Sequence, residues 1–289
     1  MSARPPDRFR LTVLGCSTAS PHQAWPASGY LLEWGETAIL LDVGQGVVRR
    51  LQCLMDPTQL SAVIVGHMHA DHYLDLAGLR YLFPWGEAAP ARLPVHLPPG
   101  GRAGIEALAT AISERAGFFE MSYALAEYDP EASLAVGPFR VRFVRGRHYV
   151  PAWGVIVDAP DGTRLAYTGD TGPSDEMLDS IRGADLLLVE AALRDPSEDD
   201  PERGHLTAQE ATAMAARAGV GAALLVHYAP SRRAELEAAC EAVGPWIKPA
   251  VAGLAVTVER AARIARPATG SDAGYSPRPA ATAAAARER

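Results

Sequence analysis

Cysteine is scarce. Cys16, Cys53 and Cys240 are the only three in 289 residues, far apart and in no Cys-x-x-Cys pairing. That argues against a disulfide framework or a thiolate metal site and suits a reducing compartment, so a cytoplasmic location is expected. No apolar run approaches the ~20 residues that a bilayer-spanning helix requires. The first eight residues lack the apolar core of a signal peptide, so neither membrane insertion nor export is expected. Basic clusters are missing as well. The formal charge is −7, and the segment 264–289 contributes +2 (four arginines against Asp272 and Glu288), which leaves the body near −9. Such a surface has no electrostatic footprint for a long polyanion. It leaves room for a small anionic substrate gripped by metal ions.

No repeat of 20–50 residues is present. The composition changes sharply near residue 264, beyond which the chain is small, polar and interrupted by proline. A segment of this kind buries too little apolar surface to offset its ordering entropy. The expected organisation is one domain over 1–263 and a disordered tail over 264–289.

The body alternates strand and helix patterns. Residues 11–15, 29–33 and 37–42 read as consecutive strands, with a hairpin turn at Trp34-Gly35-Glu36 joining the last two. Residues 46–54 look helical, and 62–65 read as a buried strand. Residues 139–144 alternate apolar residues with arginine, and 155–167 form two strands about an Asp161-Gly162 turn. Residues 186–189 and 222–226 are further apolar strands. The helix between them opens on a Thr207/Glu210 capping box and stops at Gly219. The pattern is α/β or α+β with layered sheets.

The chemistry concentrates in His67-Met68-His69-Ala70-Asp71-His72, three of the chain's eight histidines within six positions, between a strand and an apolar helix pattern over 74–82. A chance cluster on a surface loop is the alternative. In an extended segment His67 and His69 project to one side, whereas adjacent Asp71 and His72 must diverge, which suits a second centre. Imidazole nitrogen and carboxylate oxygen form a donor set that zinc accepts, and manganese and iron tolerate it.

His-x-His-x-Asp-His after an apolar strand resembles the signature of the metallo-β-lactamase superfamily, which implies a four-layer αββα sandwich. Later landmarks follow in order: His148 before Tyr149, Asp170 in Tyr167-Thr-Gly-Asp-Thr171, Glu190 ending an apolar strand, His205 opening His-Leu-Thr-Ala-Gln-Glu210, and His227 ending another strand. The Asp170, Glu190 and His205 stretches are similar to the ribonuclease Z-like, phosphodiesterase branch rather than to lactamases or glyoxalases. Carried over by position, the resemblance implies two divalent ions, zinc first, with manganese or iron as alternatives. One would take His67, His69 and His148, and the other Asp71, His72 and His227, with Asp170 bridging. It further implies Asp71, His205 and Glu190 as catalytic residues, His205 as general acid oriented by Glu190, and Asp42 as support for the metal loop. His22 and His96 match nothing in the pattern.

The ribonuclease Z arm that grips RNA falls between the landmarks matching His148 and Asp170, and here only 21 residues separate them. Long nucleic acid is therefore not the expected substrate. The stretches Leu14–Ser17, Pro26–Tyr30, His67–His72 and Tyr167–Gly172 look like those of the atypical cyclic-nucleotide phosphodiesterases of actinobacteria. The expected function is metal-dependent hydrolysis of a small phosphodiester, a 3′,5′-cyclic nucleotide above all. The alternatives are RNA 3′-processing of the ribonuclease Z type and hydrolysis of a lactone, β-lactam or thioester. Tyr149 and Trp153 could offer a stacking face for a base, or could pack in the core. Homodimers are common in the superfamily, and nothing in the sequence locates an interface.

Overall fold

A computed structural model describes residues 7–83, 92–113, 115–199 and 202–261, so the expected tail over 264–289 lies outside the described residues. The chain forms two seven-stranded mixed sheets. The first contains β1 (Arg10–Gly15), β2 (Gly29–Trp34), β3 (Thr37–Leu41), β4 (Ala62–Ile64), β5 (Leu93–Leu97) and β6 (Tyr123–Glu127). The second contains β7 (Leu134–Val136), β8 (Phe139–Arg145), β9 (Trp153–Asp158), β10 (Arg164–Tyr167), β11 (Leu186–Glu190), β12 (Ala222–Val226) and β13 (Ile247–Pro249). The last strand, β14 (Ala255–Thr257), returns to pair antiparallel with β1.

Both sheets repeat one plan. In the order β14-β1-β2-β3-β4-β5-β6 the first three pairings are antiparallel and the last three parallel, and the order β7-β8-β9-β10-β11-β12-β13 does the same. Parallel neighbours need crossovers, and helices supply most of them. On the first sheet these are α1 (Val47–Gln52), α2 (Ala70–Tyr73), α3 (Leu76–Leu79) and α4 (Gly101–Ile112). On the second they are α5 (Asp175–Ser180), α6 (Ala208–Ala218) and α7 (Arg233–Glu241). The apolar pattern over 74–82 is thus shorter than one continuous helix, since α3 gives way to a 3₁₀ turn at Arg80.

Strand alternation accounts for the layering. Ile39 and Leu41 of β3 and Leu186 and Leu188 of β11 point into the core between the sheets. Their neighbours Ala38 and Leu40 face α1, α3 and α4, while Leu187 and Val189 face α5–α7. Helices, sheet, sheet, helices: the expected αββα sandwich is what forms. Among the described residues no helix is long and apolar enough to cross a membrane.

Candidate active site

Residues just past the carboxyl ends of the parallel strands meet at one edge of the sandwich, where open α/β sheets place their ligands. Asp42 follows β3, the segment 67–72 follows β4, Asp170 follows β10, Glu190 ends β11 and His227 follows β12. His148 lies in the loop after β8, and His205 precedes Thr207, the cap of α6. A main-chain bridge between His67 and Ala152, which includes the bond from Trp153 N–H to the Gly66 carbonyl at 3.1 Å, joins the halves here.

The donor atoms converge on Asp170. Its Oδ2 lies 3.6 Å from His67 Nε2, 3.3 Å from His72 Nε2, 4.0 Å from His148 Nε2 and 3.2 Å from His227 Nε2. Ligands about 2.0–2.2 Å from a tetrahedral ion stand roughly 3.3–3.6 Å apart, so these spacings suit ligands that share ions. Asp71 Oδ2 is 3.6 Å from His72 Nε2 and 3.9 Å from His227 Nε2. His69 Nδ1 is 2.9 Å from His148 Nε2. The donors fall into groups able to hold a cation: His67, His69, His148 and Asp170; Asp71, His72 and His227; and Asp170, His205 and His227.

Three buried atoms in the cluster, His67 Nε2, His72 Nε2 and Asp170 Oδ1, have no hydrogen-bond partner. A buried polar atom left unpaired costs about 1–3 kcal/mol, and metal ligation would satisfy all three. The residues present therefore fit divalent ions.

Three of the candidate ligands, His72, His148 and His227, are aimed by a second group. Asp42 Oδ2 lies 2.7 Å from His72 Nδ1 and accepts from Tyr167 Oη at 2.8 Å, while its Oδ1 accepts from Gly66 N–H at 2.8 Å. Asp42 achieves this from a left-handed backbone, φ 55°, as does His227 at φ 50°. Such conformations are strained for a side-chain-bearing residue and cluster at functional sites. Ser28 Oγ is 3.2 Å from His227 Nδ1, and His148 Nδ1 is 2.9 Å from the Gly204 carbonyl.

Glu190 is fully buried. Its Oε1 meets His205 Nδ1 at 2.9 Å and accepts from Thr171 N–H, and its Oε2 accepts from Ala192 N–H, each at 3.0 Å. The His205 ring stacks on His227 with centroids 5.6 Å apart.

The electrostatics follow from burial and crowding. Burial holds His67 well below its ordinary value, reinforced by His72. Burial pushes His148 down to about 4, against the pull of Asp170 and the Gly204 carbonyl. Burial opposes charge on Asp170 too, but His227, His72 and His67 outweigh it and hold the carboxyl well below the usual range. Burial also disfavours charge on His205, yet its bond to Glu190 and the nearby carboxylates raise it to about 9. Burial opposes charge on His72 as well, but Asp170 and Asp42 outweigh it and raise that ring well above its ordinary value. A metal taken by His72 would therefore displace a proton, whereas burial already favours the neutral ligand form at His67 and His148.

All seven expected ligand positions, together with His205 and Glu190, are brought to this one cleft. The two remaining histidines are elsewhere: His22 is exposed in the loop after β1, and His96 is half-buried on β5. Tyr149 is exposed at the mouth, its ring 4.8 Å from His148 and 5.7 Å from His205, with its hydroxyl on Asp199. Trp153, by contrast, is buried between the sheets beside Tyr128, so it offers no face to a ligand. The acidic loop that contains Asp199 borders the cleft through that bond and a second one, from Gly204 N–H at 3.1 Å. Ser28 and Tyr167 also support the cluster, and both sit inside the stretches Pro26–Tyr30 and Tyr167–Gly172.

A family model described as a beta-lactamase superfamily domain matches residues 37–228. An uncharacterized protein of Mycobacterium tuberculosis is 35% identical over 238 residues, covering 76% of this chain and 81% of that protein. The crystal structure of the metallo-beta-lactamase fold protein YhfI from Bacillus subtilis superposes with a TM-score of 0.75 at 25% identity, over 86% of this chain and 100% of that one. Ribonuclease Z of Mycobacterium bovis is 29% identical over 245 residues, 77% of this chain and 87% of its own.

Proposed function

Since the chain belongs to the beta-lactamase superfamily and is a metallo-hydrolase of that fold, we propose that it cleaves a small phosphodiester, a 3′,5′-cyclic nucleotide above all. The observation that carries this reading is the His205–Glu190 pair, bonded at 2.9 Å beside the cluster centred on Asp170. An alkoxide expelled from phosphorus needs a proton, and a histidine held protonated by a buried carboxylate supplies one.

His67, His69 and His148 would hold one divalent ion and Asp71, His72 and His227 a second, with Asp170 shared between them. Two such ions, zinc first, would supply Lewis acidity toward the phosphoryl group and a nucleophile at neutral pH. The protein's own groups do the rest. Asp71 stands with its Oδ2 3.6 Å from His72 Nε2 and 3.9 Å from His227 Nε2, where it adds a carboxylate donor beside those rings. Glu190 holds Nδ1 of His205, which leaves Nε2 to pass a proton to the departing oxygen as its bond to phosphorus breaks. A phosphate monoester and an alcohol result, joined in one molecule when the substrate is cyclic. Tyr149 stands at the mouth, where an exposed ring suits stacking by a base.

Long RNA is disfavoured as a substrate. The 21 residues between His148 and Asp170 are taken up by β9, β10 and their turns, and the net charge is −7.

The test is a substrate panel on protein supplied with zinc or manganese. Hydrolysis of bis-p-nitrophenyl phosphate and of a 3′,5′-cyclic nucleotide is expected. Turnover of a lactone, β-lactam or thioester without any phosphodiester would overturn the reading, and cleavage of precursor transfer RNA in preference to cyclic nucleotides would move it to the ribonuclease Z type.

A further inference from the structure

A second cavity, of about 470 Å³, opens between the loop 17–28 and the start of α1. It shares no residue with the metal cluster. Among its lining residues are His22, Trp25, Gln45, Arg49, Arg50 and Cys53, and not one Asp or Glu. That is a basic concavity on a chain of net charge −7.

Its place in the fold follows from strand direction. β1 and β3 both run antiparallel to β2, so their carboxyl ends lie together. The loop after β1 is therefore at the same sheet edge as Asp42. Ala27 N–H donates to the Gln45 carbonyl at 3.1 Å and Gly44 N–H to the Ser28 carbonyl at 3.0 Å, tying the two sides of the cavity together. Ser28 in turn meets His227.

Three features of the lining point to a ligand. Arg49 and Arg50 have no hydrogen-bonded or carboxylate partner for their guanidinium groups among the described residues. Arg50 rests against Gly253, so close that a Cβ there would come within 2.4 Å of its Nη2. Gln45 is pinned by its own Nε2, which donates to the Ala19 carbonyl at 2.8 Å, and its buried Oε1 is left without a donor. Trp25 is fixed edge-on against Tyr228 with centroids 5.6 Å apart, and His22 meets it at 6.2 Å.

We propose that this cavity is a binding site for a phosphate monoester, with the phosphate on Arg49 and Arg50. Guanidinium groups match phosphate oxygens in geometry as well as charge. A nucleoside carried on that phosphate meets Trp25 and His22 as stacking surfaces. The site is separate from the metal chemistry proposed above.

Cys53 makes the proposal testable without a turnover assay. It lines the cavity and is the exposed thiol, while Cys16 and Cys240 are buried. Iodoacetamide labelling of metal-loaded protein therefore reads occupancy of this cavity and not of the metal centre. Adenosine 5′-monophosphate at about ten times its Kd should slow labelling of Cys53 about tenfold, and adenosine should not. Inorganic phosphate is the third probe. Protection by phosphate as strong as by the nucleotide identifies the free ion as the ligand, and stronger protection by the nucleotide identifies the nucleotide.

The double variant Arg49→Gln/Arg50→Gln should lose protection, and Arg49→Lys/Arg50→Lys should keep part of it while showing that the surface tolerates change. Labelling of wild-type protein unaffected by millimolar nucleotide and phosphate would overturn the proposal. So would equal protection in the glutamine variant. Failure of the phosphodiesterase reading would appear in turnover and leave this labelling result untouched.

Discussion

His205 Nδ1 stands 2.9 Å from the Oε1 of Glu190, a carboxylate with no exposed surface that also accepts two backbone N–H groups. A carboxylate bonded on three sides is held in place. The ring it touches is thereby turned and kept charged.

The first prediction concerns that ring. In metal-free protein His205 should titrate near 9, against an ordinary 6.5. Because the folded value is the raised one, the pair stabilises the fold fully below about 6.5, and that contribution is lost as pH rises through about 9. Glu190→Gln removes the charge, so the titration should move down toward the ordinary value. Histidine proton resonances followed against pH in both proteins check this, and an unmoved His205 signal would contradict it.

Turnover gives a second prediction. His205→Ala should lower kcat on an alkyl-leaving phosphodiester by about 10²–10⁴-fold, the usual worth of a general acid. The same variant should lose far less on bis-p-nitrophenyl phosphate, whose phenolate leaves without help. Equal losses on the two substrates would instead place His205 among the groups that bind substrate or metal.

Metal should stabilise the fold. His67 Nε2, His72 Nε2 and Asp170 Oδ1 are buried and unpaired without it. An ion at 1,000 times its Kd contributes about 4 kcal/mol, so Tm should rise on zinc addition and fall with chelator. Asp170→Asn, at the hub of the cluster, should abolish most of the response.

Asp42 touches no expected ion, yet its carboxylate aims His72 and ties down Gly66. Asn tolerates the left-handed backbone at this position, so Asp42→Asn isolates the loss of charge. Metal affinity measured by competition with a chelator should drop about 10–100-fold. Unchanged affinity would limit Asp42 to a folding role.

Gly44 provides a purely steric probe. A Cβ at that position would lie 1.9 Å from the Asp71 carbonyl oxygen and 2.8 Å from the Ala27 Cβ. Gly44→Ala should therefore cost about 3 kcal/mol by overpacking, and it should weaken metal binding although no ligand is altered. Denaturant unfolding and metal titration together check both parts.

Much of this was legible in the sequence because strands announce themselves by apolar runs and the ligands are the polar residues that end them. His67, Asp170, Glu190 and His227 each follow or close such a run. The capping box at Thr207 and Glu210 fixed the start of α6, and hence the position of His205. Three things were hidden. β5, α4 and β6 carry no sharp motif, so the outer half of the first sheet is not legible from local pattern. The pairing of β14 with β1 joins residues at opposite ends of the chain, which no local pattern can announce. The bonds of Ser28 to His227 and of Tyr167 to Asp42 span 199 and 125 positions. Only the closed sandwich creates them.

The repeated plan of the two sheets has a thermodynamic corollary. The first half of the chain contributes His67, His69, Asp71 and His72, and the second contributes His148, Asp170 and His227. Neither half alone owns a complete set of donors for either proposed ion. A cation lodged on that seam would work as a clasp, so that prising the halves apart and releasing the metal would become a single event. Chelation should then loosen the whole sandwich along its seam and not merely silence a pocket.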